Sequence, residues 1–177
     1  RETWHHDRMS WRGAVTATIG DVEDWTRGIR TVLCDLDGVI WLAHQPIAGS
    51  VEAVAELRRG GCRVMFVTNN SAATVAQHEQ ALGQVGIRAQ GDVVSSAMAV
   101  TALVARGSRV LVAAGPGVVE ALEGAGVEVV VNAGEPLSGT VDAVVVGMHR
   151  DFDYDRLAVA SEAARRCGRL IGTNTDS

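Results

Sequence analysis

An α/β fold built on a largely parallel sheet is what this sequence predicts, and three observations predict it. From Thr31 onward, short apolar runs rich in valine alternate with amphipathic stretches of helical period. The runs close on turn-forming clusters such as Asp37-Gly38, Asn69-Asn70 and Gly115-Pro116-Gly117. At 177 residues, 47% hydrophobic and 21% charged, the chain holds enough apolar material for one domain, or one plus part of another.

The elements follow in order. Residues 1–30 carry three of the four tryptophans (Trp4, Trp11, Trp25) without periodicity and read as an irregular lead-in, with Met9 a candidate start. Thr31-Val32-Leu33-Cys34 reads as a buried strand ending in a turn at Asp37-Gly38. Ser50 is placed to cap a helix with Val51, Val54 and Leu57 on one face, closed by Gly60-Gly61. A second strand spans Arg63 to Val67, and a helix opening at Ser71 or Thr74 finishes near Gly83. Asp92-Val93-Val94 reads as a third strand, followed by a helix over Ala97 to Ala105. Beyond Gly107 the alternation restarts: strand Arg109 to Ala113, helix Val118 to Leu122, then strands Val127 to Val131 and Asp142 to Val146. Helix Tyr154 to Arg166 and a strand from Leu170-Ile171 complete it. The Gly107-Ser108 break divides residues 31–106 from residues 107–177.

Composition excludes several classes of function. Apolar runs such as Val110 to Ala114 fall far short of the roughly 20 residues of a membrane span. Arg1 to Ser10 is polar, with no stretch like a signal peptide, so a cytoplasmic location is expected. A net charge of −5 argues against a nucleic-acid surface. All 16 basic residues are arginine, which excludes Schiff-base chemistry, Ser-Lys dyads and the P-loop. Cys34, Cys62 and Cys167 have no metal-ligand spacing and read as reduced thiols.

Two segments carry chemistry. In Asp35-Leu36-Asp37-Gly38, alternate side chains of an extended segment point the same way, so the two carboxylates converge at the carboxyl end of a strand, where open α/β sheets bind ligands. Two close carboxylates repel, and Mg²⁺ would relieve that while leaving room for a phosphate oxygen. Thr68-Asn69-Asn70-Ser71 closes the next strand and opens a helix, offering a hydroxyl, an amide and free N–H groups to an anion. One strand–helix–strand unit separates the segments, which places them at neighbouring strand ends.

Asp35-Leu36-Asp37-Gly38-Val39-Ile40-Trp41 followed by Phe66-Val67-Thr68-Asn69-Asn70-Ser71 resembles the haloacid dehalogenase superfamily, and within it the class IIA, NagD-like phosphatases. Ser96-Ala97-Met98-Ala99, Val144 to Met148, Phe152 to Leu157 and Gly172-Thr173-Asn174-Thr175-Asp176 fit the same branch. The resemblance implies a Rossmann-like core, present here as its first part (31–106), and an inserted α/β cap begun at residue 107 and incomplete. It implies a Mg²⁺-dependent phosphatase of small phosphorylated metabolites. Asp35 would be the nucleophile forming an aspartyl-phosphate, and Asp37 the acid that protonates the leaving oxygen and then activates water. The Asp35 carboxylate and the Asp37 backbone carbonyl would ligate Mg²⁺; Thr68 and Asn69 would hold the phosphoryl group, with Asn70 nearby. A homo-oligomer formed through the cap is a further expectation.

The departures matter equally. The family's lysine and its later acidic metal ligands are missing from this chain, which is the pattern expected of the front part of a longer protein. Alone, the 177 residues should turn over little, expose a sheet edge and an apolar face, and self-associate. The alternative function is a catalytically inactive relative that binds phosphorylated ligands or serves as an interaction module. Carbon–halogen hydrolysis is disfavoured, because Asp37 suits protonation of an oxygen leaving group. His149 stands where the family carries Asp; it reads as an exposed loop histidine, with a substrate contact as the alternative. Asp151, Asp153, Asp155 and Glu162 imitate part of a calcium loop, but Arg156 replaces its turn glycine. Gly115-Pro116-Gly117 imitates a dinucleotide fingerprint that lacks its third glycine. His5 and His6 read as tail residues, and Cys34 as a core thiol.

Overall fold

The computed structural model describes residues 28–174. The expectations for Trp4, Trp11, Trp25, Met9, His5, His6, Thr175 and Asp176 lie outside them. Strand β1 (Thr31–Asp35) leads into a short hairpin, β2 (Trp41–Leu42) and β3 (Gln45–Pro46), then helix α1 (Ser50–Arg59) and strand β4 (Arg63–Thr68). Helix α2 (Val75–Gln84), strand β5 (Val93–Ser95) and helix α3 (Ser96–Val100), which tightens into a 3₁₀ turn over Thr101–Leu103, complete the first part. The second part runs β6 (Arg109–Ala113), α4 (Pro116–Gly124), β7 (Glu128–Val131), β8 (Ala143–Val146), α5 (Tyr154–Cys167) and β9 (Leu170–Gly172).

Two parallel sheets result, of order β1-β4-β5 and β7-β6-β8-β9. They are covered differently. In the second, Val110, Val112 and Val145 pack against α3 and α4 through Ala97, Val118 and Leu122. Its other face, with Leu111 and Val144, packs on Ala160 and Ala163 of α5. In the first sheet, Val64, Phe66 and Val93 bury one face under Val54 of α1 and Leu82 of α2. The register Leu33↔Met65, Asp35↔Val67↔Val94 defines the opposite face, where Leu33 is 69% exposed. Parallel sheets normally have both faces covered. Among the described residues this face and the β1 edge are uncovered, so β1, none of whose residues is fully buried, is not the buried strand that its apolar run predicts.

The helix starts differ from the sequence expectation at Ser50, at Ser96 for Ala97 and at Pro116 for Val118. Helix α2 opens at Thr74, whose hydroxyl accepts the Gln77 N–H while the Gln77 side chain accepts the Thr74 N–H, a reciprocal cap. Ser50, in contrast, does not cap α1. Gly49 does, with φ of 85°, and the Ser50 hydroxyl instead donates to Ile40 O at 2.9 Å, tying the helix to the turn after β1. The predicted helix over Ala97 to Ala105 is shorter, ending in the 3₁₀ turn. Among the described residues, no helix is long and apolar enough to cross a membrane.

Candidate functional site

Strand β1 delivers Asp35 to its carboxyl end, and the chain continues as exposed Asp37 with Leu36 fully buried between them. Both carboxylates are exposed, on either side of buried Leu36 in the chain. Each is steadied through one oxygen. Asp35 Oδ1 accepts the Leu36 N–H at 2.8 Å, and Asp37 Oδ1 accepts the Trp41 indole N–H at 2.9 Å. The second oxygen of each has no partner among the described residues.

Trp41 can do this because the turn is closed tightly around it. The N–H groups of Ile40 and Trp41 both reach Leu36 O, and the Gly38 N–H donates to Trp41 O, with Gly38 at φ of 84° where a side chain would be strained. The β2–β3 hairpin then turns through Ala43 and His44, both with positive φ (47° and 64°), the two-residue turn that matches strand twist. Non-glycine residues in this region cost on the order of 1 kcal/mol each. Burial of the Trp41 ring, with His44 5.2 Å from it, offsets that cost.

The neighbouring strand end is built from Thr68 to Ala72. Thr68 is 2% exposed, and its hydroxyl accepts the Asn70 N–H at 3.1 Å, leaving its own proton to donate. Asn70 Oδ1 accepts the Ala72 N–H at 3.0 Å, so only its NH₂ remains to act on a ligand. The Asn69 side chain is exposed, while its carbonyl accepts Ser96 Oγ at 2.7 Å. The structure thus brings Asp35, Asp37, Thr68, Asn69 and Asn70 to adjoining ends of two paired strands.

A cleft of about 860 Å³ opens beside this loop, lined among others by Asn70, His78, Gly115, Met148, His149 and Arg150. Asp35, Asp37, Thr68 and Asn69 do not line it; Asn70 belongs to both. His149 is not an exposed loop residue. Its Nδ1 lies 3.0 Å from Gly147 O and must donate there, its ring meets Phe152 edge-on, and its buried Nε2 has no partner among the described residues.

Sequence reasoning missed His78, which is 4% exposed and sits on α2 with Nε2 3.3 Å from Asn70 O. Burial pushes its pKa down from the ordinary 6.5, while the Asn70 carbonyl and the Asp37 charge pull it back up. A depressed histidine is neutral in the fold at neutral pH, and the unfolded chain binds its proton first on acidification. Stability should therefore hold above pH 6.5 and fall as pH drops below it through the folded value. His78→Gln should flatten that part of the profile in chemical denaturation at a series of pH values; an unchanged slope would exclude His78 as its source. Cys34 is pushed the other way, by burial and then by the adjacent Asp35 charge, and stays a protonated core thiol.

The two rival motifs are consumed by structure. Asp153 caps α5 by accepting the Arg156 N–H, which lowers its pKa, and the Arg156 guanidinium pairs with both Asp151 and Asp153. Glu162 pairs with Arg165 and Arg166 along the helix. Gly115 and Gly117 admit a neighbouring backbone: a Cβ at Gly115 would sit 2.6 Å from Ala72 Cα, and one at Gly117 2.2 Å from Ala73 O. Their side-chain-free surface seats the loop after β4, in place of a dinucleotide.

Open parallel α/β sheets, with exposed carboxylates and a Thr-Asn loop at adjoining strand ends, define a Rossmann-like architecture. The sequence profile of the haloacid dehalogenase-like hydrolases matches residues 32–128, and the chain belongs to that family. It is 34% identical over 149 residues to the sugar-phosphatase AraL of Bacillus subtilis, covering 82% of this chain and 53% of that protein. It is 33% identical over 176 residues to human glycerol-3-phosphate phosphatase, covering 84% of this chain and 54% of the relative. Among solved structures, the glycerol phosphate phosphatase of Mycobacterium tuberculosis in complex with magnesium superposes with a TM-score of 0.75 at 28% identity, over 85% of this chain and 46% of the other. The p-nitrophenyl phosphatase of Archaeoglobus fulgidus gives 0.70 at 28%, over 82% and 55%. These neighbours support the NagD-like branch that the motifs indicate. The chain spans about half the length of the curated relatives it matches.

Proposed function

We propose that this protein serves as a Mg²⁺-dependent phosphomonoesterase of small phosphorylated metabolites in the cytoplasm. The observation that carries the reading is the pair of exposed carboxylates at the end of β1, each with one oxygen uncommitted among the described residues, beside the Thr68–Asn70 loop. Asp35 attacks phosphorus as the ester P–O bond breaks, giving an aspartyl-phosphate and the alcohol, whose oxygen takes a proton from Asp37. Asp37 then accepts a proton from the water that hydrolyses the acyl-phosphate and regenerates Asp35. The Thr68 hydroxyl and the Asn69 amide hold phosphoryl oxygens, and Asn70 lies on the substrate side.

The uncommitted oxygens suit a hard cation that needs few protein ligands, with the Asp35 carboxylate and the Asp37 carbonyl as holders. Bound there, Mg²⁺ would supply neutralisation of the phosphoryl charge. Residues 107–177 belong to the cap in this reading and residues 31–106 to the core. The packing of Ala97, Val100 and Val104 with the second sheet supports extending the cap back to about Ser96. The names of the relatives, sugar phosphatase and glycerol-3-phosphate phosphatase, support a small polar phosphomonoester as substrate.

The longest polypeptide its gene encodes should release phosphate from 4-nitrophenyl phosphate and glycerol phosphate. EDTA should stop the release and added Mg²⁺ should restore it; turnover indifferent to chelation would sink the metal-dependent reading. A second reading is phosphoryl-ligand binding without turnover. Saturable phosphate binding with no release would decide for it.

A further inference from the structure

The Gly172-Thr173-Asn174 segment, which the mechanism leaves idle, reaches across the molecule to the loop after β4. β9 pairs with β8 through Val146↔Gly172, and the Thr173 N–H stays tied there by donating to Val146 O at 3.0 Å. From this position the Thr173 hydroxyl lies 2.8 Å from the hydroxyl of Ser71, one donating to the other, and Ser71 is fully buried. Asn174 Nδ2 donates to Asn69 O at 3.2 Å.

These contacts complete a pattern. Asn69 O is held by Ser96 and Asn174, Asn70 O by His78, and Ala72 O by the Gly117 N–H at 3.1 Å. In a trans peptide the carbonyl of one residue and the N–H of the next point in opposite directions. Fixing these carbonyls from outside therefore fixes the planes of the peptides that follow them. The Asn70 N–H, already given to the Thr68 hydroxyl, is held there and orients that hydroxyl's own proton, a preorganised donor of the kind a phosphoryl group requires. Gly147 fits the same scheme: a Cβ there would lie 2.9 Å from Ser71 Oγ and 3.0 Å from Thr173 Cγ2, so the sequence leaves room for the hydroxyl pair. A buried hydroxyl pair is directional, and it costs stability when one member is lost.

We infer that Thr173 and Asn174 are positioning residues for the phosphate-binding loop. From the outer strand of the second sheet they fix the backbone of residues 69–71, so phosphate affinity at the first sheet depends on the second. The inference rests on the phosphate-binding role proposed above for Thr68 and Asn69.

Thr173→Val keeps the side-chain shape and removes the hydroxyl, Thr173→Ser keeps the hydroxyl, and Asn174→Ala removes the exposed amide donor. For the longest polypeptide its gene encodes and each variant, NMR would follow amide hydrogen exchange of residues 70–73 and the binding of inorganic phosphate in the presence of Mg²⁺. Thr173→Val and Asn174→Ala should each speed exchange and weaken phosphate by about tenfold, with Thr173→Ser within about twofold of the parent. Unchanged loop exchange in both weakened variants overturns the inference. Faster exchange with unchanged phosphate affinity overturns it too, since the contact would then be structural only. If the parent binds no phosphate, the phosphatase reading falls, and the exchange result alone decides whether Thr173 and Asn174 hold the loop. Should Thr173→Val fail to fold, Asn174→Ala carries the test.

Discussion

Asparagine in place of Asp35 is expected to abolish phosphate release from 4-nitrophenyl phosphate, lowering kcat by at least about 10⁴-fold. The substitution is close to isosteric and keeps the one hydrogen bond that the side chain makes among the described residues. Asparagine retains the Oδ1 that accepts the Leu36 N–H, and the side chain is exposed at the end of its strand. Thermal stability should accordingly stay within about 2 °C of the parent, which separates lost chemistry from lost fold. Asp37→Asn makes a useful partner experiment. It keeps the acceptor for the Trp41 indole but cannot carry a proton, so hydrolysis of the acyl-phosphate should fail while its formation from a good leaving group persists. Turnover by Asp35→Asn above about one tenth of the parent would remove Asp35 as nucleophile.

What could be read in the sequence is what neighbours in sequence decide. Asp35 and Asp37 are two apart at the end of an apolar run, so strand periodicity predicts them on one side, and the structure exposes both around buried Leu36. Thr74 could be preferred over Ser71 as the start of α2, because Gln77 stands three residues on and completes the reciprocal cap. Ser50 deceived for the opposite reason. A serine before an amphipathic run reads as a cap, but its hydroxyl is drawn to Ile40 O, ten residues back, and Gly49 takes the capping position.

The illegible parts of the site are those set by distant partners. Ser71 looks like a helix cap in sequence and is instead a buried hydroxyl facing Thr173, 102 residues away. His78 lies among the apolar positions of its helix and gives no local sign that Asn70 O is its partner. The hairpin after Asp37 has strands of two residues and turns through Ala43 and His44, neither of which announces positive φ as Asn-Gly would. His149 is open to two readings in sequence, because loop position predicts exposure and only the packed structure brings Gly147 and Phe152 against it.

Gly117 shows the same limit with the largest expected effect on stability. Helix propensity favours Gly117→Ala by about 1 kcal/mol, since glycine is the poorer helix former. Packing opposes it. The new Cβ would meet Ala73 O at 2.2 Å and Ser71 O at 2.7 Å, backbone atoms of the loop after β4 that cannot swing aside as a side-chain tip can. Relief requires moving helix α4 or the loop, and either breaks the bond from the Gly117 N–H to Ala72 O. Overpacking of this kind commonly costs about 1–3 kcal/mol, and the backbone contact places it at the upper end, so sterics outweigh propensity. A net loss of about 2 kcal/mol should lower the thermal midpoint by roughly 4–8 °C. Gly124→Ala, near the end of the same helix, supplies the control: a Cβ there meets nothing within 4 Å, so that variant should match or exceed the parent. Because the displaced residues adjoin Asn69 and Asn70, Gly117→Ala should also weaken inorganic phosphate binding, whereas Gly124→Ala should not. If both variants melted at the parent temperature, residues 71–73 could not be seated against α4, and the route by which the second sheet steadies the phosphate loop would be lost with that contact.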